Sequence, residues 1–205
     1  YIYKFSSIMF LDSNETGFFI LIFLSFMLYL KKEKILFIPR LIFFIFFIFL
    51  VLSFSRAAVL GFLGLVFYAN VFRPLSKIKK LFFIFFLCAI FLFLIMLFLN
   101  DVSFLSKIEI FSKSYLYLSN TTIVRFLFGV GMYNSTKVLG GIYGHNYISL
   151  YWIEYGFFGL LLFLLFLVLS FFANKKTYYL LIPFLITGLS FFPYFCPYLF
   201  FFLGL

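Results

Sequence analysis

Residues 156–172 read GFFGLLLFLLFLVLSFF, an apolar run that contains no charged side chain. Runs of about 17–25 apolar residues are typical of helices that cross a bilayer. The rest of the chain has the same character, since 66% of its 205 residues are hydrophobic, 40 are Phe and only 11% are charged. Soluble domains carry about 25% charged residues, and a soluble core of this size would not bury so much apolar surface. The sequence therefore predicts an integral membrane protein.

Six further apolar stretches flank this run and predict additional membrane helices. These stretches do not alternate apolar and polar residues, as transmembrane strands do, which favours helices. The predicted fold is therefore all-α, a polytopic bundle of about six or seven transmembrane spans. The predicted spans, in chain order, are residues 17–30, 35–54, 57–70, 81–99, 156–172 and 178–192, with a weaker seventh over 194–205.

Three clusters of basic residues predict the orientation of the helices. Lys and Arg concentrate in cytoplasmic loops, and the clusters follow the first, third and fifth predicted spans, so all three would lie on the cytoplasmic side. Five of the six acidic residues fall on the other side, together with a long external loop over residues 100–155. The net charge of +10 is thus an orientation signal, and nucleic acid is not expected as a partner. The clusters are Lys31, Lys32 and Lys34; Arg73, Lys77, Lys79 and Lys80; and Lys175 and Lys176.

We interpret residues 1–205 as a single integral membrane domain. The chain begins with Tyr1, and no basic, apolar and small-residue order of a signal peptide is visible. We therefore expect it to be the C-terminal portion of a larger polytopic protein. Cys88 and Cys196 lie in apolar stretches without CxxC or zinc spacing, so no metal site is predicted.

Polar residues beside membrane spans are costly and mark candidate functional sites. The turn over residues 53–58 reads SFSRAA. Its serines are expected to cap the next helix, and Arg56 either snorkels to the interface or holds an anionic substrate, because a guanidinium fork suits phosphate. Residues 12–17 read DSNETG, which is either a helix N-terminus or, through Asn14, part of the same external cavity.

The predicted external loop carries the remaining candidates. It contains Arg125, then FGVGM over residues 128–132, and later GHNY over residues 144–147. The glycines of FGVGM lack the third Gly and the βαβ context of a dinucleotide-binding loop, which excludes that function. His145 is the only His in the chain. It is either a structurally bonded residue or a proton-transfer group, since imidazole exchanges protons near neutral pH.

These features occur in order and on one predicted side, and together they resemble the O-antigen ligase and O-antigen polymerase family of bacterial membrane glycosyltransferases. Three patterns carry the resemblance: the Asp-Ser-Asn segment at residues 12–14, the Ser-x-Ser-Arg-Ala-Ala turn at 53–58, and the C-terminal blocks. Of those blocks, His145-Asn146 followed by Glu-Tyr-Gly-Phe-Phe-Gly at 154–159 is the most specific. The resemblance extends over about residues 12–205.

The resemblance implies a fold of the GT-C type in the bacterial cytoplasmic (inner) membrane, with its active face periplasmic. The donor would be a glycan on undecaprenyl diphosphate, and the acceptor a hydroxyl of another glycan, of the lipid A core or of a protein. Neither a metal ion nor a nucleotide sugar would be needed, so no cofactor is predicted. Direct attack by the acceptor would invert the anomeric carbon.

The resemblance also implies roles for individual residues. Arg56 and Arg125 would stabilise the charge that develops on the leaving diphosphate, and His145 would act as general base on the acceptor hydroxyl. The substrate-binding residues would be Asn14, Ser55, Asn146 and Glu154.

Two alternatives stay open. A non-enzymatic transporter or scaffold predicts polar groups in the middle of spans, whereas here they gather at one face. Within the family, polymerase, ligase and protein O-oligosaccharyltransferase share these motifs and differ in their acceptor.

Overall fold

The computed structural model of the chain describes residues 13–71, 81, 85 and 102–192. Every regular element in these ranges is a helix and none is a strand, which confirms the all-α class. The elements are α1 (Ser13–Lys32), α2 (Arg40–Leu52), α3 (Arg56–Val71), α4 (Val102–Asn120), α5 (Ile123–Phe128), α6 (Ser135–Val138), α7 (Tyr147–Ala173), a 3-10 turn (Lys175–Thr177) and α8 (Tyr178–Gly188).

Five of the predicted spans coincide with described helices, with shifted ends. The span over 35–54 begins only at Arg40, because Pro39 disfavours helical geometry in the residue before it. The span over 178–192 ends at Gly188. The predicted spans over 81–99 and 194–205 lie outside the described residues, apart from positions 81 and 85, which are helical.

The segment predicted as an external loop, residues 100–155, is mostly helical. It contains α4, α5, α6 and the beginning of α7. Helix α4 mixes apolar and polar residues, and Lys113 pairs with Glu109 one turn earlier at 2.8 Å. Because α4 contains no long uninterrupted apolar run, the sequence did not predict it as a helix.

Two described helices are long and apolar enough to cross a membrane. Helix α1 has a mean hydropathy of 1.5 and α7 one of 2.7, and the shorter α2 and α3 are also apolar. Helix α2 buries only Leu50 and exposes large apolar side chains such as Leu41 (67%) and Phe44 (57%). Because a helix that is apolar all round belongs in a buried or lipid environment, these helices indicate membrane association.

The chain divides into two compact units. The first unit comprises Tyr1–Val66 and Leu164–Leu205, and the second comprises Phe67–Phe163. The core of the first unit is a cluster of buried side chains from α1, α2 and α3, and α8 packs on α1 through the Phe18 and Phe184 rings, 6.1 Å apart. The buried members of that cluster are Leu21, Leu24, Leu50, Ala58 and Phe62.

The first unit has a basic end and an opposite end at which polar side chains meet. At the basic end, Lys176 forms an ion pair with Glu33, just beyond the last residue of α1. The hydrogen bond and charge of that carboxylate raise the pKa of Lys176 above its usual value. At the other end of α1, Asn14 contacts the turn between α2 and α3. A 20-residue helix separates these two ends by about 30 Å.

Candidate functional site

The turn between α2 and α3 is built by two serines. Ser55 is completely buried, and its hydroxyl accepts a hydrogen bond from the backbone N–H of Ala58 at 3.4 Å. Ser53 accepts from the N–H of Ser55 at 3.3 Å and donates to the carbonyl of Leu50 at 2.7 Å. Ser55 is thus the N-cap of α3, because its side chain satisfies an N–H that has no partner within the helix. The predicted capping role is confirmed for Ser55, whereas Ser53 bonds to Leu50 and to Ser55 within the turn.

The same turn contacts the first turn of α1. The Ser55 hydroxyl donates to Asn14 Oδ1 at 3.3 Å, across 41 positions of sequence. Gly17 lies against the same serine, and a Cβ added at Gly17 would overlap the Ser55 Cβ. Only glycine therefore allows α1 to approach so closely. Two of the predicted motifs form one hydrogen-bonded cluster, which we call the Ser55 cluster (Asn14, Ser53 and Ser55). Asp12 lies outside the described residues.

Arg56 is the first residue of α3 and remains half-buried, whereas the two alanines that follow it are packed inside. Ala57 is 6% and Ala58 0% exposed, and the Thr187 hydroxyl donates to the Ala57 carbonyl at 3.4 Å. A cation at a helix N-terminus opposes the helix dipole. Arg56 therefore does not stabilise α3 electrostatically, and its charge adds to the positive end of the helix, where anions bind favourably.

The second unit is organised around a break in α7 at Gly156. This residue has φ 71° and ψ −174°, so the helix stops there and resumes at once. The break removes the usual helical partners of the preceding carbonyls. Two backbone N–H groups replace them: Val130 donates to Ile153 and Gly131 donates to Glu154, both at 2.9 Å. We call these paired segments, residues 128–131 and 153–156, the clasp.

Glycine is required on both sides of the clasp. Gly129 has φ 78°, and a Cβ there would collide with the backbone of Glu154. A Cβ on Gly156 would likewise collide with the backbone of Leu127 and Phe128. The N–H of Gly129 also closes α5 by donating to the Arg125 carbonyl at 2.8 Å. Gly129 of FGVGM and Gly156 of the 154–159 block thus allow close backbone contact.

Glu154 connects the clasp to α6. Its side chain is 1% exposed, and Oε1 accepts a hydrogen bond from the backbone N–H of Ser135 at 3.2 Å. Glu154 Oε2 and the Ser135 hydroxyl are buried and have no hydrogen-bond partner among the described residues. A buried polar atom without a partner costs free energy, which the single bond from Ser135 offsets only for Oε1. Glu154 connects α6 to α7 through that bond.

His145 and Asn146 lie at the start of α7. Asn146 is 4% exposed, and its Oδ1 accepts a hydrogen bond from the Ser149 N–H at 2.7 Å, which makes it the N-cap of α7. The cap fixes the backbone next to His145. The imidazole packs edge-on against the Tyr143 ring, with centroids 5.3 Å apart, and stays half-buried. Arg125 is exposed on α5.

The predicted residues thus fall into two sets. Asn14 and Ser55 are hydrogen-bonded to each other in the first unit, where Arg56 follows Ser55 in the chain. Arg125, His145, Asn146 and Glu154 belong to the second unit. Ser55, Asn146 and Glu154 are buried and bind backbone groups, so they position their neighbours. The described residues include no group of three His, Cys, Asp or Glu side chains that could hold a metal ion.

Sequence reasoning missed two residues that build these sets. Gly17 allows α1 to reach Ser55, and a lone Gly in an apolar helix was the available signal, since it often marks close packing. Ser135 binds Glu154, and the Asn134-Ser135 pair after a glycine-rich turn is a helix-start signal.

Comparisons of this chain with models of protein families, with curated proteins and with solved structures found no match.

Proposed function

We propose that the chain is part of a multi-pass glycosyltransferase of the bacterial inner membrane, of the O-antigen ligase or polymerase type. It would transfer a glycan from undecaprenyl diphosphate to an acceptor hydroxyl at the periplasmic face. The observation that carries the proposal is the pairing of the family-like motifs. Asn14 is bonded to Ser55 of the 53–58 turn, and Gly131 of FGVGM is bonded to Glu154 of the 154–159 block, although the members of each pair are far apart in sequence.

A multi-pass arrangement is supported by the first unit. The predicted cytoplasmic segments after the first and fifth spans meet in the ion pair between Glu33 and Lys176. The predicted external segments meet in the hydrogen bond between Asn14 and Ser55. Both contacts are those expected if α1, α2, α3 and α7 cross the membrane with the predicted orientation.

The proposed chemistry needs two roles, stabilisation of the leaving group and removal of a proton from the acceptor. When the glycosidic bond breaks, the diphosphate gains negative charge, and a fixed guanidinium stabilises that charge. Arg56 in the first unit and Arg125 in the second have the right chemistry for this role. His145 would remove the proton of the acceptor hydroxyl, an effect worth about 10²–10⁴-fold. Asn146 would hold His145 in place through its cap of α7.

The first test is His145→Ala in the complete gene product, expressed in a strain that lacks the gene. Surface polysaccharide is separated by length on a gel, and membrane abundance is measured in parallel. We expect the wild type to restore long chains and the variant to lose them at equal abundance. Lys137→Ala is the matched control, because Lys137 is an exposed residue of the same unit outside the motifs. Restoration by His145→Ala would remove it as the base, and failure of the wild type itself would favour a transporter or scaffold.

The second test is Arg56→Lys, which keeps the charge but removes the planar fork. A point charge does not replace bidentate hydrogen bonds to phosphate. We expect polysaccharide synthesis to fall by at least about tenfold, with protein abundance unchanged, in the same gel assay. Full activity of Arg56→Lys would show that the position needs only positive charge and would argue against direct phosphate binding.

The acceptor distinguishes the members of the proposed family. Loss of only long glycan chains in the knockout indicates a polymerase, and loss of all glycan from the lipid A core indicates a ligase. Loss of glycan from protein, with lipopolysaccharide unchanged, indicates a protein O-oligosaccharyltransferase.

A further inference from the structure

The first unit contains an apolar groove between α1, α2 and α3 with a volume of about 760 Å³. Cavities of about 300–1,000 Å³ commonly hold small organic ligands. The walls are mainly aromatic, and the Phe62 ring lies 6.2 Å from that of Phe43 and 5.5 Å from that of Phe47. The lining residues include Leu28, Phe43, Phe44, Phe47 and Phe62, with Arg40 among them at the start of α2.

The end of the groove at the start of α2 is strongly basic. Arg40 is exposed there, and Lys31 Nζ lies 5.6 Å from the centre of the Phe43 ring, so its charge stands beside the groove wall. The segment over residues 31–40 carries four cationic side chains and one acid, Glu33. That acid is paired with Lys176. The groove is therefore apolar along its length and positive at one end.

We propose that this groove binds one anionic phospholipid, with an acyl chain along the phenylalanines and the phosphate at Arg40 and Lys31. A soluble anion would not bury the apolar wall, and an apolar helix would not form ion pairs with the cations. The cytoplasmic leaflet, where this basic end is predicted to lie, is rich in anionic lipid, and each nearby cation favours such a headgroup. The proposal needs the helices to be embedded in a membrane but is independent of glycan transfer.

The test reads lipid contact from inside the groove. Trp152 is the only Trp in the chain and belongs to the second unit, so Trp152→Phe gives a Trp-free background. Phe44→Trp then places a single reporter on the groove wall, at a position that is 57% exposed and accepts the larger ring. The protein is reconstituted in phosphatidylcholine vesicles containing brominated phosphatidylglycerol or brominated phosphatidylcholine, and quenching is titrated. We expect brominated phosphatidylglycerol to bind at least about fivefold more tightly.

Arg40→Gln in this background should reduce the preference by about fivefold, while the matched charge change Lys137→Gln should leave it unchanged. Equal quenching by the two lipids, or an equal loss in both variants, would overturn the proposal, because the contact would then be ordinary bilayer lipid.

Undecaprenyl phosphate is added as a competitor at equal mole fraction. If it displaces phosphatidylglycerol several-fold more effectively than unlabelled phosphatidylglycerol does, the occupant is a polyprenyl lipid and the proposal is wrong. This experiment does not measure glycan transfer, so its outcome is the same whether or not the proposed transferase function is correct.

Discussion

A serine hydroxyl that is completely buried, as that of Ser55 is, needs partners for both its proton and its lone pairs. Ser55 obtains them from Asn14 and from the N–H of Ala58. The same hydroxyl therefore caps α3 and connects α3 to α1. At the residue scale, the two residues of the family-like Ser-Arg pair differ in their tasks. The serine fixes the geometry of the turn, and the half-buried arginine beside it carries the positive charge.

Ser55→Ala should destabilise the protein, because it leaves the Ala58 N–H and Asn14 without their partner. Loss of an N-cap costs about 1 kcal/mol, which corresponds to a decrease in Tm of about 2–4 °C for a chain of this size. Thermal unfolding in detergent, followed by circular dichroism, measures it. Ser119→Ala is the control, because Ser119 is exposed and bonds only within its own helix. An equal decrease in both variants would show that the Ser55 cluster contributes no stability of its own.

Several residues of the candidate site could be named from the sequence alone, but their roles could not all be assigned. Short patterns such as SFSRAA identify a polar turn and its caps, since capping depends on neighbours in sequence. Glu154 stays a predicted substrate-binding residue, but no local pattern indicated that its Oε1 would accept a hydrogen bond from the Ser135 N–H, 19 positions away. Whether a polar side chain faces a substrate or a backbone N–H depends on packing between distant segments, which local sequence does not specify.

At the scale of elements, the clasp explains why α7 contains a break. The 17 positions from Gly156 to Phe172 form the apolar run, and residues 147–155 are a more polar segment that begins directly after Asn146. A helix interruption inside or near a bilayer exposes carbonyls that must find donors. The N–H groups of Val130 and Gly131 supply them. The apolar run alone predicted the long part of this helix correctly, because the lipid environment makes length and hydropathy sufficient.

Gly156→Ala should be severely destabilising, because its Cβ would meet the backbone of Leu127 and Phe128 and that backbone is held by the clasp. Gly140→Ala is the matched control: Gly140 also has a positive φ, of 68°, but a Cβ there meets nothing within 4 Å. In Gly140→Ala the only expected cost is that of an alanine in the left-handed backbone conformation, about 1–2 kcal/mol. We expect Gly156→Ala to exceed about 4 kcal/mol or to abolish accumulation in the membrane. Similar Tm values for the two variants would mean that the clasp opens at little cost.

At the scale of the whole molecule, the predicted all-α class is confirmed over the residues that the structure describes. Composition decides the class because so little of the chain is charged. The division into two compact units was not foreseen, since it depends on which segments contact each other and not on where apolar runs begin and end. The helices within residues 100–155 were missed for a related reason, because α4 is a mixed polar and apolar helix.

The predicted orientation can be tested with single cysteines in a chain whose Cys88 and Cys196 are replaced by Ser. Lys34→Cys and Asn174→Cys lie near the basic end of the first unit, and Lys137→Cys lies in the predicted external segment. A membrane-impermeant maleimide should label position 137 once the outer membrane is permeabilised. Positions 34 and 174 should react only after the inner membrane is also opened. Labelling of positions 34 and 174 from opposite sides would contradict the predicted topology.

The clasp also has a consequence for the order of synthesis. Val130 and Gly131 leave the ribosome before the carbonyls of Ile153 and Glu154 that they will bind. The donors are therefore already present when the broken helix emerges, and closing a loop of this length is fast compared with translation. Carbonyls without hydrogen-bond donors therefore need not enter the lipid before a later segment has been synthesised. A circular permutant that moved residues 128–131 behind α7 would lose this protection during insertion, even though every contact of the finished protein remained possible.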